Sequence, residues 1–223
     1  MCREYSGHSP FPLCVCGGLR RVRVGGRDFP MHARAASTVA GGKRLLLLVY
    51  HSRTGWARQM AKEMEAGAQE AVVAMEGEDT LDVVRKTAAC TTSADILGAD
   101  GYLFCAPENL ASVSGEMKEF FDRTYYDMFD EVEGSTGYDE VPRLLGRPYA
   151  LAIAAGSDGH GAARQIERIC LGWRLDAVAE TLVERNGLEQ TKASILGEKQ
   201  ALPPDVVARC RDVGGIVAAT LLL

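Results

Sequence analysis

Residues 45–57 constrain the fold of this chain more than any other stretch. Residues 45–50 form an unbroken apolar run whose length and composition are typical of a strand buried on both faces, as in a parallel sheet. Residues 51–55 interrupt the run with small, hydroxyl-bearing and basic side chains, and an amphipathic helix pattern follows at once. A strand, a tight polar turn and a helix bring free backbone N–H groups and the positive end of a helix dipole to one point, where anions bind.

The turn lacks the patterns of two common phosphate loops. A Walker loop needs G-x-x-x-x-G-K-[ST] and a dinucleotide loop needs G-x-G-x-x-G, whereas this turn holds a single glycine. A loop that wraps one terminal phosphate fits instead, because Ser52 and Thr54 can donate hydroxyl hydrogen bonds and Gly55 allows close approach of the backbone. Arg53 or Arg58 could add positive charge. An ordinary strand–turn–helix connection is the alternative interpretation.

The totals of the sequence exclude several classes of protein. A length of 223 residues allows one good-sized α/β domain, and a net charge of −5 argues against a nucleic-acid-binding surface. No apolar run reaches the roughly 18–20 residues that cross a membrane, so we expect no membrane span. The seven cysteines are odd in number and loosely spaced, which favours reduced thiols, and Cys14-x-Cys16 is not a zinc spacing. We therefore predict no metal site.

Residues 1–42 show no periodicity and are rich in arginine and poor in acidic residues. We interpret them as a disordered or leader extension, with the true start of the protein nearer Met31 as one explanation. An organellar transit peptide is the alternative, whereas a secretory signal is excluded because no clean apolar core follows a basic segment. We accordingly predict a domain at 43–223 and a cytoplasmic protein.

Five predicted strands alternate with helices in residues 43–223, which indicates an α/β fold with a doubly wound parallel sheet and helices on both faces. In such sheets the ligand lies at the carboxyl ends of the strands. The first, third and fourth strands each end in a small polar loop, and we expect these three loops to converge on one cleft. The predicted strands span 45–50, 81–84, 101–105, 149–155 and 178–184.

Two segments carry a resemblance to a known family. Ser52, Thr54 and Gly55 match the [ST]-x-T-G loop of the flavodoxin-like superfamily, although Trp56 and Ala57 stand where that pattern often has polar or hydroxyl side chains. Residues 106–123 are similar to the flavodoxin-like NAD(P)H-dependent FMN and quinone reductases, because a proline-bearing loop precedes a glycine, a Met-Lys pair and a Phe-Phe-Asp-Arg run. The resemblance covers residues 43–223 and implies the flavodoxin-like strand order 2-1-3-4-5.

The resemblance implies an oxidoreductase that binds FMN, takes a hydride from NAD(P)H as co-substrate and reduces a quinone or a similar small-molecule electron acceptor. It also implies a homodimer or homotetramer. No catalytic residue is assigned, since the hydride chemistry belongs to the cofactor. The cofactor-binding residues that it implies are Ser52, Arg53, Thr54, Gly55, Trp56 and Ala57 in the first loop, Pro107, Glu108, Asn109, Leu110 and Ala111 in the second, and Gly156, Ser157, Asp158, Gly159 and His160 in the third.

Several roles within these loops stay open at this stage. His160 could donate a proton to a reduced quinone or cap the following helix, and Asp158 is a turn residue or a ring contact. Glu108 is unusual beside a flavin, because a carboxylate disfavours the anionic reduced form, and it could point to solvent. Trp56 could lie over the cofactor or cover the start of its helix.

Two further functions compete with the reductase. The first is a flavodoxin-type electron carrier; against it, neither predicted ring loop carries a tryptophan or tyrosine to shield the flavin. The second is a flavin-free binding module of the same fold, because Trp56 and Ala57 depart from the phosphate-loop pattern.

Residues 130–146 form a long polar connection that we predict to be a lid or an interface segment.

Overall fold

The computed structural model describes residues 21–24, 27–30, 42–130, 141–187, 191, 193, 197 and 201–223. The chain divides into two compact units, Met1–Val39 and Ala40–Leu223. In the first unit, β1 (Arg21–Val24) pairs antiparallel with β2 (Arg27–Pro30). The rest of residues 1–41 lies outside the described residues, and the leader or disordered extension stays a prediction.

The second unit alternates strands and helices along the chain. Its elements are β3 (Arg44–Tyr50), α1 (Trp56–Ala74), β4 (Leu81–Thr87), α2 (Ser93–Gly98), β5 (Gly101–Asn109), β6 (Ser112–Val113), α3 (Gly115–Thr124), β7 (Phe129–Asp130), β8 (Val141–Pro142), β9 (Pro148–Ala155), α4 (His160–Gly172), β10 (Asp176–Ala177), β11 (Leu182–Arg185) and α5 (Pro204–Leu222).

The main sheet runs in the order β4-β3-β5-β9, and β10 and β11 both pair with the far side of β9. All these pairings are parallel, so the predicted doubly wound sheet with order 2-1-3-4-5 is confirmed. The predicted fifth strand over 178–184 is wrong in its bounds. Ala177 pairs with Tyr149 and Leu182 pairs with Ala152, so this segment advances by five residues while β9 advances by three. The two extra residues bulge out and divide the strand.

The alternating side chains of β3 explain why helices cover both faces of the sheet. Leu46 and Leu48 pack into the apolar cluster beneath α1 and α5, whereas Leu47 and Val49 pack into the opposite cluster beneath α3 and α4. A strand that is apolar on both faces needs such cover on each side. The core therefore has two halves, one on either face of β3, β5 and β9.

Gly214 and Gly215 lie inside the last helix and do not break it. Helix α5 is continuous from Pro204 to Leu222. A Cβ atom on Gly214 would overlap the backbone carbonyl of Met64 in α1, and one on Gly67 would overlap the backbone of Arg211 in α5. Two glycines thus let the backbones of α1 and α5 approach more closely than larger residues would permit.

The described cysteines are free thiols: Cys105, Cys170 and Cys210 are buried, and Cys90 is exposed. The three buried thiols pack as small hydrophobes within the core. Among the described helices, none combines the length and the hydropathy that a membrane crossing requires. Of the predicted lid or interface segment, residues 131–140 lie outside the described residues, and β7 pairs antiparallel with β8 at its ends.

Candidate functional site

The first loop, residues 51–55, leads from the carboxyl end of β3 into α1. Gly55 has a φ of 101°, a left-handed conformation that glycine adopts without steric cost. Its backbone N–H donates a hydrogen bond to the Ser52 hydroxyl at 3.1 Å. Among the described residues no side chain caps α1, and its first turn holds no acidic residue. The first N–H groups of α1 are therefore left without a capping side chain, which suits an anion.

Trp56 and Ala57, which the resemblance assigns to the cofactor, are core positions at the start of α1. Trp56 is only 8% exposed and belongs to the apolar cluster under α1 and α5, so it covers the helix start. Its buried indole Nε1 has no hydrogen-bond partner among the described residues. Ala57 is 1% exposed, and its carbonyl accepts a hydrogen bond from the Cys105 thiol at 3.3 Å. An apolar side chain at position 57 fits this cluster better than the hydroxyl that the superfamily pattern often has.

The second loop is shorter than the sequence predicts, because β5 continues to Asn109. Pro107, Glu108 and Asn109 are strand residues and not loop residues, which corrects the predicted end of the strand at 105. Proline is tolerated there because β3 pairs with β5 only as far as Cys105, so that side of the strand has no partner to receive an N–H. The strand then folds back through Leu110 and Ala111 into β6, with Asn109 opposite Ser112.

The turn at the tip of this hairpin is strained. Leu110 and Ala111 have φ values of 53° and 58°, as a two-residue type I′ connection requires. Asparagine and glycine are the usual residues in such a turn, whereas side chains such as leucine rarely adopt positive φ. Leu110 is also completely exposed. Strain of this kind often lies at functional sites.

The third loop, residues 156–159, is tied to the second by the carboxylate of Glu108. This carboxylate accepts hydrogen bonds from the backbone N–H groups of Gly156 at 3.1 Å, Ser157 at 2.8 Å and Gly159 at 3.3 Å, and from the Ser157 hydroxyl at 2.7 Å. Burial alone would raise the pKa of Glu108, but these hydrogen bonds outweigh it and hold the pKa below its usual value. Glu108 therefore points into the third loop and not simply to solvent.

Asp158 and His160 lie at the start of α4, and both are exposed. The carboxylate of Asp158 accepts a hydrogen bond from the backbone N–H of His160 at 2.9 Å, so Asp158 holds the turn into the helix. His160 is the first residue of α4 and not part of the preceding loop. Gly161, in the first turn of that helix, lies against the carbonyl of Ala111, where a Cβ atom would overlap it.

Gln165 fixes the hairpin of the second loop to α4. Its side-chain oxygen accepts hydrogen bonds from the Ser112 hydroxyl and from the backbone N–H of Val113, both at 3.0 Å. With the Glu108 carboxylate and the Gly161 contact, this makes three separate attachments, one between the second and third loops and two between the second loop and α4. These two predicted loops do converge at the carboxyl edge of the sheet.

His51 joins the first loop to α3, a connection that the sequence analysis missed. Its backbone N–H donates to the carbonyl of Cys105 at 3.1 Å, and its Nδ1 lies 2.7 Å from the hydroxyl of the fully buried Ser114. Its Nε2 lies 3.7 Å from a carboxylate oxygen of Glu116. Burial and the nearby Arg53 lower the pKa of His51 against the opposing effect of Glu116, and this lowering favours the neutral imidazole. The sequence feature that could have revealed this connection is a histidine placed directly after a buried strand.

The arrangement as a whole suits an elongated ligand with an anionic end. The first loop offers a glycine in the left-handed conformation, two hydroxyl side chains and the uncapped start of α1. The second and third loops lie together at the ends of the neighbouring strands β5 and β9. The N–H groups of Gly156, Ser157 and Gly159 already bind the Glu108 carboxylate.

Comparisons with known proteins agree with this fold. A flavodoxin of Aquifex aeolicus (strain VF5) is 35% identical over 89 residues, which are 40% of this chain and 44% of that protein. The chain thus matches less than half the length of that curated relative. Among solved structures, a flavodoxin of Streptococcus pneumoniae TIGR4 has a TM-score of 0.56 at 16% identity, over 79% of this chain and 99% of the other.

A flavodoxin, WrbA-like protein from Agrobacterium tumefaciens superposes with a TM-score of 0.53 at 12% identity, over 80% of this chain and 98% of the other. At such identities the two superpositions show a shared fold. The model of the family described as NADPH-dependent FMN reductase matches residues 43–179, which is more than half of the chain. This match confirms the resemblance seen in the loop and helix motifs, and the chain belongs to the NADPH-dependent FMN reductase family.

Proposed function

We propose that this protein is an FMN-dependent oxidoreductase that takes a hydride from NAD(P)H and reduces a quinone or a similar small acceptor. The observation that carries the proposal is the uncapped start of α1 behind the left-handed Gly55, at the same sheet edge as the joined second and third loops. Family membership supports the cofactor and the class of reaction. When bound, FMN supplies two-electron hydride chemistry, and the protein supplies binding and orientation.

The first loop is proposed to hold the phosphate of FMN. Ser52 and Thr54 would donate hydroxyl hydrogen bonds, and the backbone N–H groups at the start of α1 would add to them. Arg53 and Arg58 are exposed next to this loop and would contribute positive charge. The unpaired Nε1 of Trp56 is one more buried donor at the same helix start.

The second and third loops are proposed to orient the flavin ring. Residues 108–111 and residues 156–160 are joined to each other, and both segments would lie along the ring at this edge of the sheet. The hairpin tip at Leu110 and Ala111 has no tertiary cover over its exposed side chains, which leaves room for a nicotinamide or an acceptor to approach. The attachments through Glu108, Gly161 and Gln165 would keep this side of the site rigid.

An electron carrier is the second candidate, and the flavodoxin of Aquifex aeolicus favours it. Against it, the second and third loops contain no tryptophan or tyrosine, and Trp56 is buried in the core, so no aromatic side chain of these segments is placed to shield a ring. A flavin-free binding module of the same fold is the third candidate.

A homodimer or homotetramer in the cytoplasm is part of the proposal, and light scattering of the purified protein tests the assembly.

Two measurements separate these functions. Purified protein is soaked in FMN and desalted, and its visible spectrum is recorded. Retained flavin absorption supports the reductase or the carrier, whereas a colourless protein contradicts both and leaves the binding module. Steady-state oxidation of NADH and NADPH with a panel of quinones then separates the first two, because a carrier turns over none of them.

Thr54→Val tests the proposed hydrogen bond to the phosphate directly. The change keeps the shape of the side chain and removes its hydroxyl, and a hydrogen bond to a charged group contributes about 1.5–3 kcal/mol. We expect the Kd for FMN, measured by fluorescence titration, to rise at least about tenfold. Thr220→Val is the matched control, since Thr220 is an exposed residue of α5 whose hydroxyl donates within its own helix. Equal Kd values for both variants would exclude Thr54 from the phosphate site.

A further inference from the structure

The Glu108 carboxylate and the third loop form a closed unit, which we call the Glu108 latch: Glu108 together with residues 156–159. Both carboxylate oxygens are used, since one accepts from Gly156 and Ser157 N–H groups and the other from the Ser157 hydroxyl and the Gly159 N–H. Glu108 is itself held in β5, opposite Val113 of β6. The charge is thus fixed by the fold at both ends of its side chain.

A loop that offers several backbone N–H groups to one point is an anion-binding device. In this protein the anion is already present and belongs to the chain. Gly159, which supplies one of the N–H groups, has a φ of 70° and lies so close to Val183 that a Cβ atom would overlap it. This packing fixes the direction of the loop, so the three N–H groups face Glu108 and stay there.

Ionised Glu108 brings a full negative charge to the second and third loops. Its hydrogen-bond donors are neutral N–H and O–H groups, and among the described residues no arginine or lysine pairs with it. Those donors are also no longer free to receive new negative charge on a ligand. A ligand that gains negative charge beside these loops therefore meets a carboxylate and N–H donors that are already occupied.

We propose that Glu108 is a positioning residue that sets the reduction potential of the bound flavin, by holding the third loop while disfavouring negative charge on the ring. This inference rests on the proposed function, because it assigns a role within the same FMN site. Its consequence is that reduced flavin binds less tightly relative to oxidised flavin than it would without the carboxylate. Electrons are then passed on to an acceptor more readily than they are retained.

The test compares wild-type protein with Glu108→Gln, which removes the charge, keeps the shape and turns one accepting oxygen into an NH2 group that cannot accept. The two-electron midpoint potential of protein-bound FMN is measured at pH 7 against reference dyes, and the Kd of oxidised FMN is measured separately. We expect the ratio of the oxidised to the reduced Kd to rise about tenfold in the variant. For a two-electron couple this corresponds to a potential about 30 mV higher.

Two further variants separate charge from tethering. Ser157→Ala removes one hydrogen bond of the latch and leaves the carboxylate charge, so its potential should stay within about 10 mV of wild type, one third of the shift that a tenfold ratio gives. Glu119→Gln is the matched control, since Glu119 is an exposed carboxylate on α3 that pairs with Arg123. It makes the same chemical change outside the latch and should leave the potential unaltered.

A readout without flavin tests the latch itself. Amide hydrogen exchange of the peptide that covers residues 156–159 should be slow in ligand-free wild type and at least tenfold faster in Glu108→Gln. Equal exchange rates would contradict the latch. Bound FMN with the same potential in both proteins would overturn the proposed role of Glu108 alone, since the ratio of the two Kd values would then be unchanged. Failure of wild-type protein to bind FMN would instead overturn the proposed function and this role with it.

Discussion

Relief of the strained hairpin tip should stabilise the protein measurably. The perturbation is the double substitution Leu110→Asn with Ala111→Gly, which places the preferred type I′ residues at the two positions with φ of 53° and 58°. Leu110 is fully exposed, so replacing it removes no core packing. The change therefore acts on backbone conformation with little else altered.

The size of the effect follows from backbone energetics. A residue with a Cβ atom in the left-handed region costs roughly 1–2 kcal/mol. Asparagine removes part of this strain at position 110, and glycine removes the strain at position 111. Glycine also lowers the stability by about 0.5–1 kcal/mol, because it increases the conformational freedom of the unfolded chain. The net gain is about 1.5 kcal/mol. For a domain of roughly 150–250 residues this raises Tm by about 3–6 °C.

Thermal unfolding followed by circular dichroism, with urea unfolding as a second assay, measures the gain. Glu76→Asn is the positive control, because Glu76 also has a positive φ of 55° and lies just after α1, at the opposite edge of the sheet from the hairpin. This variant should be more stable than wild type by about 1 kcal/mol for the same reason. An unchanged or lower Tm in the double variant, together with a higher Tm in the control, would refute the assignment of strain to the hairpin tip.

Three other expectations follow from the same structure. Gly214→Ala should lower the free energy of unfolding by about 1–3 kcal/mol, because its Cβ would overlap the carbonyl of Met64, whereas Gly98→Ala, which has open space around it, should raise it by about 0.4–1 kcal/mol in urea unfolding. The stabilisation from ionised Glu108, whose native pKa is lowered, is present above the usual glutamate pKa near 4.3 and is lost as the pH falls below it; Glu108→Gln should flatten that part of the curve of Tm against pH. Cys90→Ser should remove one rapidly reacting thiol from native protein in a titration with a disulfide reagent, since Cys90 is the exposed thiol of the described cysteines.

The fold was predictable because its signals are local and repeated. Each buried strand is a short apolar run, and the alternation of Leu46 and Leu48 with Leu47 and Val49 supplies both halves of the core. The division of the fifth strand was not predictable, since it depends on a register of two extra residues against β9 that no local pattern records. The continuation of β5 through Pro107 was missed because a proline normally argues against a strand interior.

The candidate site was predictable in place but not in its internal chemistry. The loops could be located because the ends of parallel strands share one edge of a sheet. The contact between Glu108 and residues 156–159 joins positions about 50 residues apart, and its partners are mostly backbone N–H groups, which every sequence contains. The link from His51 to Ser114 joins two side chains 63 residues apart, and it was hidden because no local sequence pattern records a contact over that separation.

The latch also limits what a glycine-rich loop can be taken to mean. Residues 156–161 were assigned to a ligand because their N–H groups could bind an electron-rich ring, and the structure has three of those N–H groups bound to a carboxylate of the same chain. The first loop keeps an uncapped helix start with no acidic residue in its first turn, whereas at the start of α4 the N–H groups of Gly159 and His160 already donate to the carboxylates of Glu108 and Asp158. Affinity for an anionic ligand should therefore depend mainly on the loop at Ser52–Gly55, and the residues around Glu108 should govern how the ligand behaves once it is bound.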